Sequence, residues 1–252
     1  MKEPQPGETI VVWFSCGAAS AVAAKMTIEK YSDTNIIRVV NNPVINEDSD
    51  NQRFLKDVEK WLGVKIETAI NSKYKSCDIV EVWEDENLMA TNKFAPCTQQ
   101  LKKQARYEWE LKNAHDWTVL GFTKEEDTRF ERFQSKERPA SIWVLKDVSK
   151  AQCFEIISNA GIDLPAIYKM GYPNANCIGC VKASSPTYWN HVRKMHPEIF
   201  AERAKQSREI GTSGAKLVRV KGKRIYLDEL HPDAKGRSMK NMQTECGIFC
   251  AK

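Results

Sequence analysis

The sequence predicts an α/β protein, a Rossmann-like parallel sheet with helices on both faces, followed by a small basic α+β C-terminal extension. Three observations carry this. Short apolar runs alternate with amphipathic stretches through the first two thirds of the chain. The 252 residues are 42% hydrophobic and 28% charged, enough to bury one substantial core, which excludes a disordered or fibrous chain. Past Gly161 the periodicity changes, and the charge changes with it. Residues 181–252 hold 15 Lys or Arg against 7 Asp or Glu, a net of +8, whereas residues 1–180 sum to −3 within the whole-chain +5.

Taken in order, residues 9–15 (TIVVWFS) form a continuous run of β-branched and aromatic side chains, the pattern of a strand buried on both faces. Residues 18–30 (AASAVAAKMTIEK) are small and then amphipathic, a helix that starts directly after a tight turn. Residues 35–40 (NIIRVV) predict a second strand, 50–62 a helix ended by Gly63, and 64–70 a third strand. A helix over 98–114 leads into a fourth strand over 117–122 (WTVLGF). A ligand in such a sheet sits at the carboxyl ends of the strands. Beyond these, Pro165, Gly171, Pro173 and Gly179 break the pattern around Cys177 and Cys180, and 186–210 reads as helical with a break at Pro197. Residues 217–220 and 225–230 flank Lys221-Gly222 as a small hairpin, and 231–252 reads as a tail. The expected division is a nucleotide-binding domain over 1–175 and a cysteine-containing basic region with a mobile tail over 176–252. Residues 1–10 lack an apolar h-region and no stretch approaches the roughly 18 apolar residues of a membrane span, so the expectation is a cytoplasmic protein with no membrane partner. In that compartment thiols stay reduced, and eight cysteines point to metal, cluster or catalytic roles.

The stretch Ser15-Cys16-Gly17-Ala18-Ala19-Ser20 joins the first strand to the first helix, where backbone N–H groups and a helix N-terminus converge on an anion. Gly17, Ala18 and Ala19 let the backbone approach a phosphate, and Ser15 and Ser20 add hydroxyl donors. It is neither a Walker loop nor a G-x-G-x-x-G loop. The plain alternative is a small-residue turn that only packs helix on sheet.

Residues 15–22 (SCGAASAV) resemble the pyrophosphate loop of the PP-loop adenine nucleotide α-hydrolase superfamily, in particular that of phosphoadenosine phosphosulfate (PAPS) reductases. ATP-using members carry an S-G-G-x-D-S loop, and this chain has Ala19 at the acidic position. That departure suits a nucleotide that arrives already activated. Gly121 to Glu126 with Asp127, Arg129 and Arg132 resemble the family's nucleotide-lining segment, and residues 145–150 and 164–172 resemble two later segments in the family's order. The resemblance runs from about residue 10 to Cys180. It implies the adenine nucleotide α-hydrolase-like fold and an adenine nucleotide ligand, PAPS, adenylyl sulfate (APS) or ATP. Ser15, Cys16, Gly17, Ala18, Ala19, Ser20 and Gly121 would contact it, and Arg129 and Arg132 would clamp its phosphate or sulfate.

Cys177-Ile178-Gly179-Cys180 is a metal-knuckle spacing that needs further ligands, and Cys246 and Cys250 form a second short-spaced pair. The residues alone leave open a structural zinc held by these four thiols. Resemblance to cluster-containing adenylylsulfate reductases implies instead that Cys97, Cys177 and Cys180 ligate a [4Fe–4S] cluster, with Cys250 as fourth ligand or with the fourth iron open to sulfide. Glu245-Cys246-Gly247-Ile248 resembles the family's E-C-G-L/I-H ending, whose cysteine attacks the sulfonyl sulfur, although Phe249 stands where the family has His. Cys246 is thus the catalytic nucleophile that the resemblance implies, with redox or metal roles open. The implied reaction is reduction of PAPS or APS to sulfite with a thioredoxin-like thiol reductant. The alternatives are ATP-dependent, cluster-assisted sulfur insertion into DNA or RNA, with the basic C-terminal third meeting the nucleic acid, and a non-catalytic nucleotide-binding protein. Cys16, Cys77 and Cys153 read as packing residues, the last two in helical patterns. The oligomeric state, a homodimer included, stays open.

Overall fold

The structure, a computed structural model, describes residues 3–91, 94–135 and 140–239. The chain divides into two compact units. One gathers Met1–Pro43, Ser49–Ile70 and Ala105–Ala166, the other Val44–Asp48, Asn71–Gln104 and Ile167–Lys252. They are not consecutive stretches of sequence, because the second unit takes segments from inside the first.

Strand β1 (Thr9–Phe14) is buried from Ile10 onward, as a central strand covered on both faces must be. Helix α1 (Ala18–Tyr31) follows after three residues, and Ala18, Ala21, Val22, Ala23 and Ala24 have no exposed surface, so their small side chains hold the helix close on the sheet. Strand β2 (Ile36–Asn41) leads to helix α2 (Asn51–Leu62), which buries Phe54, Val58 and Leu62 along one face. It stops at Gly63, whose φ of 70° is the left-handed cap that glycine adopts without strain. After strand β3 (Ile66–Thr68) come α3 (Ile79–Asp85), α4 (Pro96–Thr98) and a π-helical turn over Gln99–Gln104. Helix α5 (Ala105–Glu110), β4 (Trp117–Val119), α6 (Asp127–Gln134), β5 (Ala140–Ile142) and α7 (Lys150–Asn159) complete the first unit. The Ser149–Gln152 capping box starts α7.

The sheet runs β3-β2-β1-β4-β5 with every pair parallel, so the predicted α/β fold is the observed one. Val12 pairs with Val39 on one side and Val119 on the other. The chain winds outward from β1 to β3 and then returns to β4 on the opposite side. The order therefore reverses at β1 and β4, and the crevice beyond their carboxyl ends is the switch point of such sheets.

The second unit continues with α8 (Ala166–Lys169), α9 (Pro186–Met195), α10 (Pro197–Ile210) and the antiparallel pair β6 (Val218–Val220) and β7 (Lys223–Ile225). Pro186 and Pro197 open their helices at the position where a missing N–H costs nothing. Its core holds Tyr74, Trp83, Met89, Trp189 and Leu217, all essentially without exposed surface. Among the described residues no helix is long and apolar enough to cross a membrane.

Several elements differ from the sequence expectation. The helix expected over 98–114 is three pieces: α4, the π-turn and α5. The widened turn buries two neighbours, Leu101 and Lys102. Strands three and four are shorter than expected because their ladders last only three residues, and β4 ends so that the chain leaves for the loop that carries Gly121. Cys77 lies in the turn before α3 with φ 58° and not in a helix, while Cys153 does lie in α7. The hairpin is tighter than predicted. Val220 pairs with Lys223 across Lys221 and Gly222 alone, and the chain beyond Ile225 turns into a short 3-10 helix, Leu227–Glu229.

Candidate functional site

In the first unit the loop between β1 and α1 lies at the carboxyl end of β1, at the switch point. It is held by its own serines. The Ser20 hydroxyl accepts from the Ser15 backbone N–H at 3.1 Å, lies 3.1 Å from the Ser15 hydroxyl, and donates to the Gly17 carbonyl at 2.9 Å. Ser20 is buried while Ser15 is exposed. Gly17 is the N-cap of α1 in an extended conformation with no side-chain cap, and the first turn carries no acidic residue. The positive end of a 14-residue helix thus stands at the loop with no carboxylate of its own first turn against it.

Two neighbours brace this loop. Asn41, at the end of β2, donates to the Phe14 carbonyl at 2.8 Å and lies 3.6 Å from the Cys16 sulfur. Cys16 adopts φ 55°, an uncommon conformation for a residue with a side chain, and is buried. Gly121, two residues beyond β4, lies so close to the start of α1 that a β-carbon there would stand 2.6 Å from the Ser20 nitrogen and 2.8 Å from the Ala19 carbonyl carbon. Only glycine fits. Of the predicted nucleotide contacts, Ser15 to Ser20 and Gly121 are therefore one cluster.

The predicted arginine pair divides. Arg129 on α6 pairs with Glu126, and its guanidinium lies 5.2 Å from the centre of the Phe122 ring. Arg132, one turn on, is exposed. Glu126 lies three residues before Arg129, one helical turn away.

The second unit holds the thiols. Cys97 on α4, with Cys177 and Cys180 from the loop after α8, lines one apolar pocket together with Val44, Ile79, Trp83, Lys102, Val181 and Lys182. Each of the three cysteines is buried. The knuckle is shaped by Gly179, whose φ of 71° allows the tight turn between Cys177 and Cys180. A β-carbon at Gly179 would also press on Arg203 and Ile199, at 3.2 and 3.3 Å. The Cys180 backbone N–H donates to the Tyr188 hydroxyl at 2.8 Å, and complete burial holds the Tyr188 phenol well above its ordinary range. Lys102 reaches Glu47 at 3.1 Å with both side chains nearly buried, which sets an ion pair beside the thiols.

The pocket has room for roughly one water molecule. Three soft thiolate donors suit iron or zinc. Among the described residues, however, no group of three or more His, Cys, Asp or Glu is arranged to hold a metal ion, so the described residues do not complete a centre. Cys246, predicted as the nucleophile, and Cys250, predicted as a metal ligand, lie outside the described residues. Sequence reasoning did not single out Asn41, Glu47, Lys102 or Tyr188. Asn41-Asn42 closing an apolar strand was a readable signal for the first, but nothing local marks Glu47, whose partner is 55 residues away.

No family model matches the chain, and no curated protein matches it. Solved structures do. A phosphoadenylyl-sulfate reductase from Candida auris, in a phosphate complex, is similar at 10% identity with a TM-score of 0.48, covering 67% of this chain and 80% of the other. A U34-tRNA thiolase from Methanococcus maripaludis, with its [4Fe–4S] cluster, is similar at 10% identity and a TM-score of 0.45, covering 97% and 84%. A glutamine-dependent NAD+ synthetase from Acinetobacter baumannii, with ADP, is similar at 16% identity and a TM-score of 0.38, covering 90% of this chain and 44% of the synthetase. The fold assignment rests on the strand order and register described above.

Proposed function

We propose that the chain is a PP-loop-type enzyme that binds an adenine nucleotide and carries out sulfur chemistry, and that its reaction is the thiol-dependent reduction of PAPS or APS to sulfite. The observation that carries the nucleotide part is the loop Ser15 to Ser20, closed by Gly121 against the start of α1 at the switch point of the sheet. Ala19 supplies no carboxylate for a metal-bound triphosphate, which favours a nucleotide already activated as a phosphosulfate. Arg129 and Arg132 are the proposed contacts for its anionic end.

In this reading the Cys246 thiolate attacks the sulfonyl sulfur. The new S–S bond forms as the sulfur–oxygen bond to phosphate breaks, and AMP or its 3′-phosphate leaves with the electron pair. A dithiol protein of the thioredoxin kind then attacks the Cys246 sulfur. Sulfite leaves, the resulting mixed disulfide is resolved by the second thiol, and the two electrons gained by sulfur are those lost by the dithiol. The three thiols of the pocket, with Cys250, are proposed as ligands of an iron–sulfur cluster, and no step passes through it. Cys246→Ser is expected to abolish sulfite release while nucleotide affinity survives. Full turnover by that variant would refute the nucleophile assignment.

A second reading, ATP-dependent sulfur insertion into a nucleic acid, is favoured by one observation, the basic hairpin β6–β7. Pyrophosphate or AMP release from ATP that depends on added nucleic acid, without sulfite, would select it.

A further inference from the structure

The hairpin breaks two local rules in the same direction. Lys221 and Gly222 form its two-residue turn with φ 46° and 83°, both positive as in a type I′ turn. That first position favours Asn, Asp or Gly, since a longer side chain is held there against its backbone preference. The register also places Arg219 directly opposite Arg224, and like charges facing across a ladder repel. The Arg224 guanidinium is held below its ordinary range by burial and then by Arg219, and it donates to the Lys216 carbonyl at 3.0 Å.

Residues 216–225 contain five cations and no acid. Arg219, Lys221 and Lys223 are exposed, while Leu217 and Val218 are fully buried and anchor the ribbon in the core of the second unit. The Arg219 backbone N–H also donates to the Ser184 carbonyl at 2.8 Å. The base of the ribbon is fixed and its tip carries charge. Departures from local rules that share one chemical result point to a site under functional demand.

We propose that the β6–β7 ribbon binds the phosphodiester backbone of a nucleic acid, with Arg219, Lys221 and Lys223 as the phosphate contacts. A two-stranded ribbon of this kind fits a nucleic-acid groove, and lysines and arginines at its tip bind phosphates without reading bases. This deepens the second reading above by naming its contact surface. The binding assay contains no nucleotide or sulfur donor, so it succeeds or fails separately from that chemistry.

The test is fluorescence anisotropy of the full chain with labelled duplex DNA, single-stranded DNA and single-stranded RNA. Three phosphate contacts predict that a rise in salt from about 50 to about 200 mM weakens duplex binding on the order of 40-fold through these side chains, and single-strand binding about 20-fold. Lys221→Asn keeps a residue suited to the turn and should lower the salt slope by about one unit. Arg219→Thr/Lys221→Asn/Lys223→Thr should lower it by nearly three units, with a melting temperature no lower than that of wild type, since the strained turn residue and the facing like charge are both relieved. Lys205→Ala, an exposed charge removed on α10, should leave the slope as in wild type. Absence of salt-dependent binding to all three probes by wild type overturns the proposal, as does a full slope in the folded triple variant.

Discussion

At the scale of single residues, the loop geometry makes Gly121 the position least able to change. Gly121→Ala places a methyl group within 3 Å of the α1 backbone, and backbone cannot yield as a side chain would. It should destabilise the protein by about 1–3 kcal/mol in urea unfolding and weaken adenine nucleotide binding in calorimetry. The Lys102–Glu47 pair invites a different test. Removing one partner leaves a buried charge, so Lys102→Met should cost about 3–5 kcal/mol, and adding Glu47→Leu should restore much of it. Cys153 gives a pH dependence. Burial first, and Glu125 second, push its thiol from 9.0 up to about 11. The folded state therefore keeps a proton that the unfolded state has already lost. Stability from this group is intact below pH 9 and falls as pH rises through 11, by about 2–3 kcal/mol in all. Cys153→Ala should flatten that decline when unfolding midpoints are compared at about pH 8 and about pH 10.5.

At the scale of elements, what was legible in the sequence was local. Strand β1, helix α1 and the turn between them occupy 23 consecutive residues, and their small and apolar side chains carried the prediction without distant help. Gly63 and Pro197 marked helix boundaries for the same reason. The C-x-x-C knuckle was visible as a spacing, but the arrival of Cys97 beside it was not a property of any window of sequence. It came from the resemblance, and the structure puts all three on one pocket. The π-turn over Gln99–Gln104 escaped notice because one extra residue per turn leaves composition unchanged and alters only which side chains point inward. Lys102 escaped notice with it. A lysine reads as solvated unless its counter-charge is in view, and Glu47 belongs to a five-residue segment far away in sequence. The hairpin was read correctly in kind and too long in extent, since the chain leaves the ladder after Ile225 for the 3-10 helix Leu227–Glu229.

At the scale of the whole molecule, the uneven charge and the thiols bear on different measurements. Anaerobically purified protein should show absorbance near 400 nm with stoichiometric iron if Cys97, Cys177 and Cys180 hold a cluster, and Cys97→Ser should lose it. Colourless protein with one zinc per chain would select the structural-zinc alternative, and protein with neither would remove both. The second unit is assembled from residues 44–48, 71–104 and 167–252, so its first two pieces are synthesised long before their partners. On the ribosome, the segment that carries Cys97 must wait for more than sixty residues of the other unit before Cys177 emerges. No single cut of the chain frees this unit intact. Fragments that end near residue 166 should hold a finished sheet and an unclosed apolar surface around Trp83, and such fragments should be the ones that aggregate or recruit chaperones.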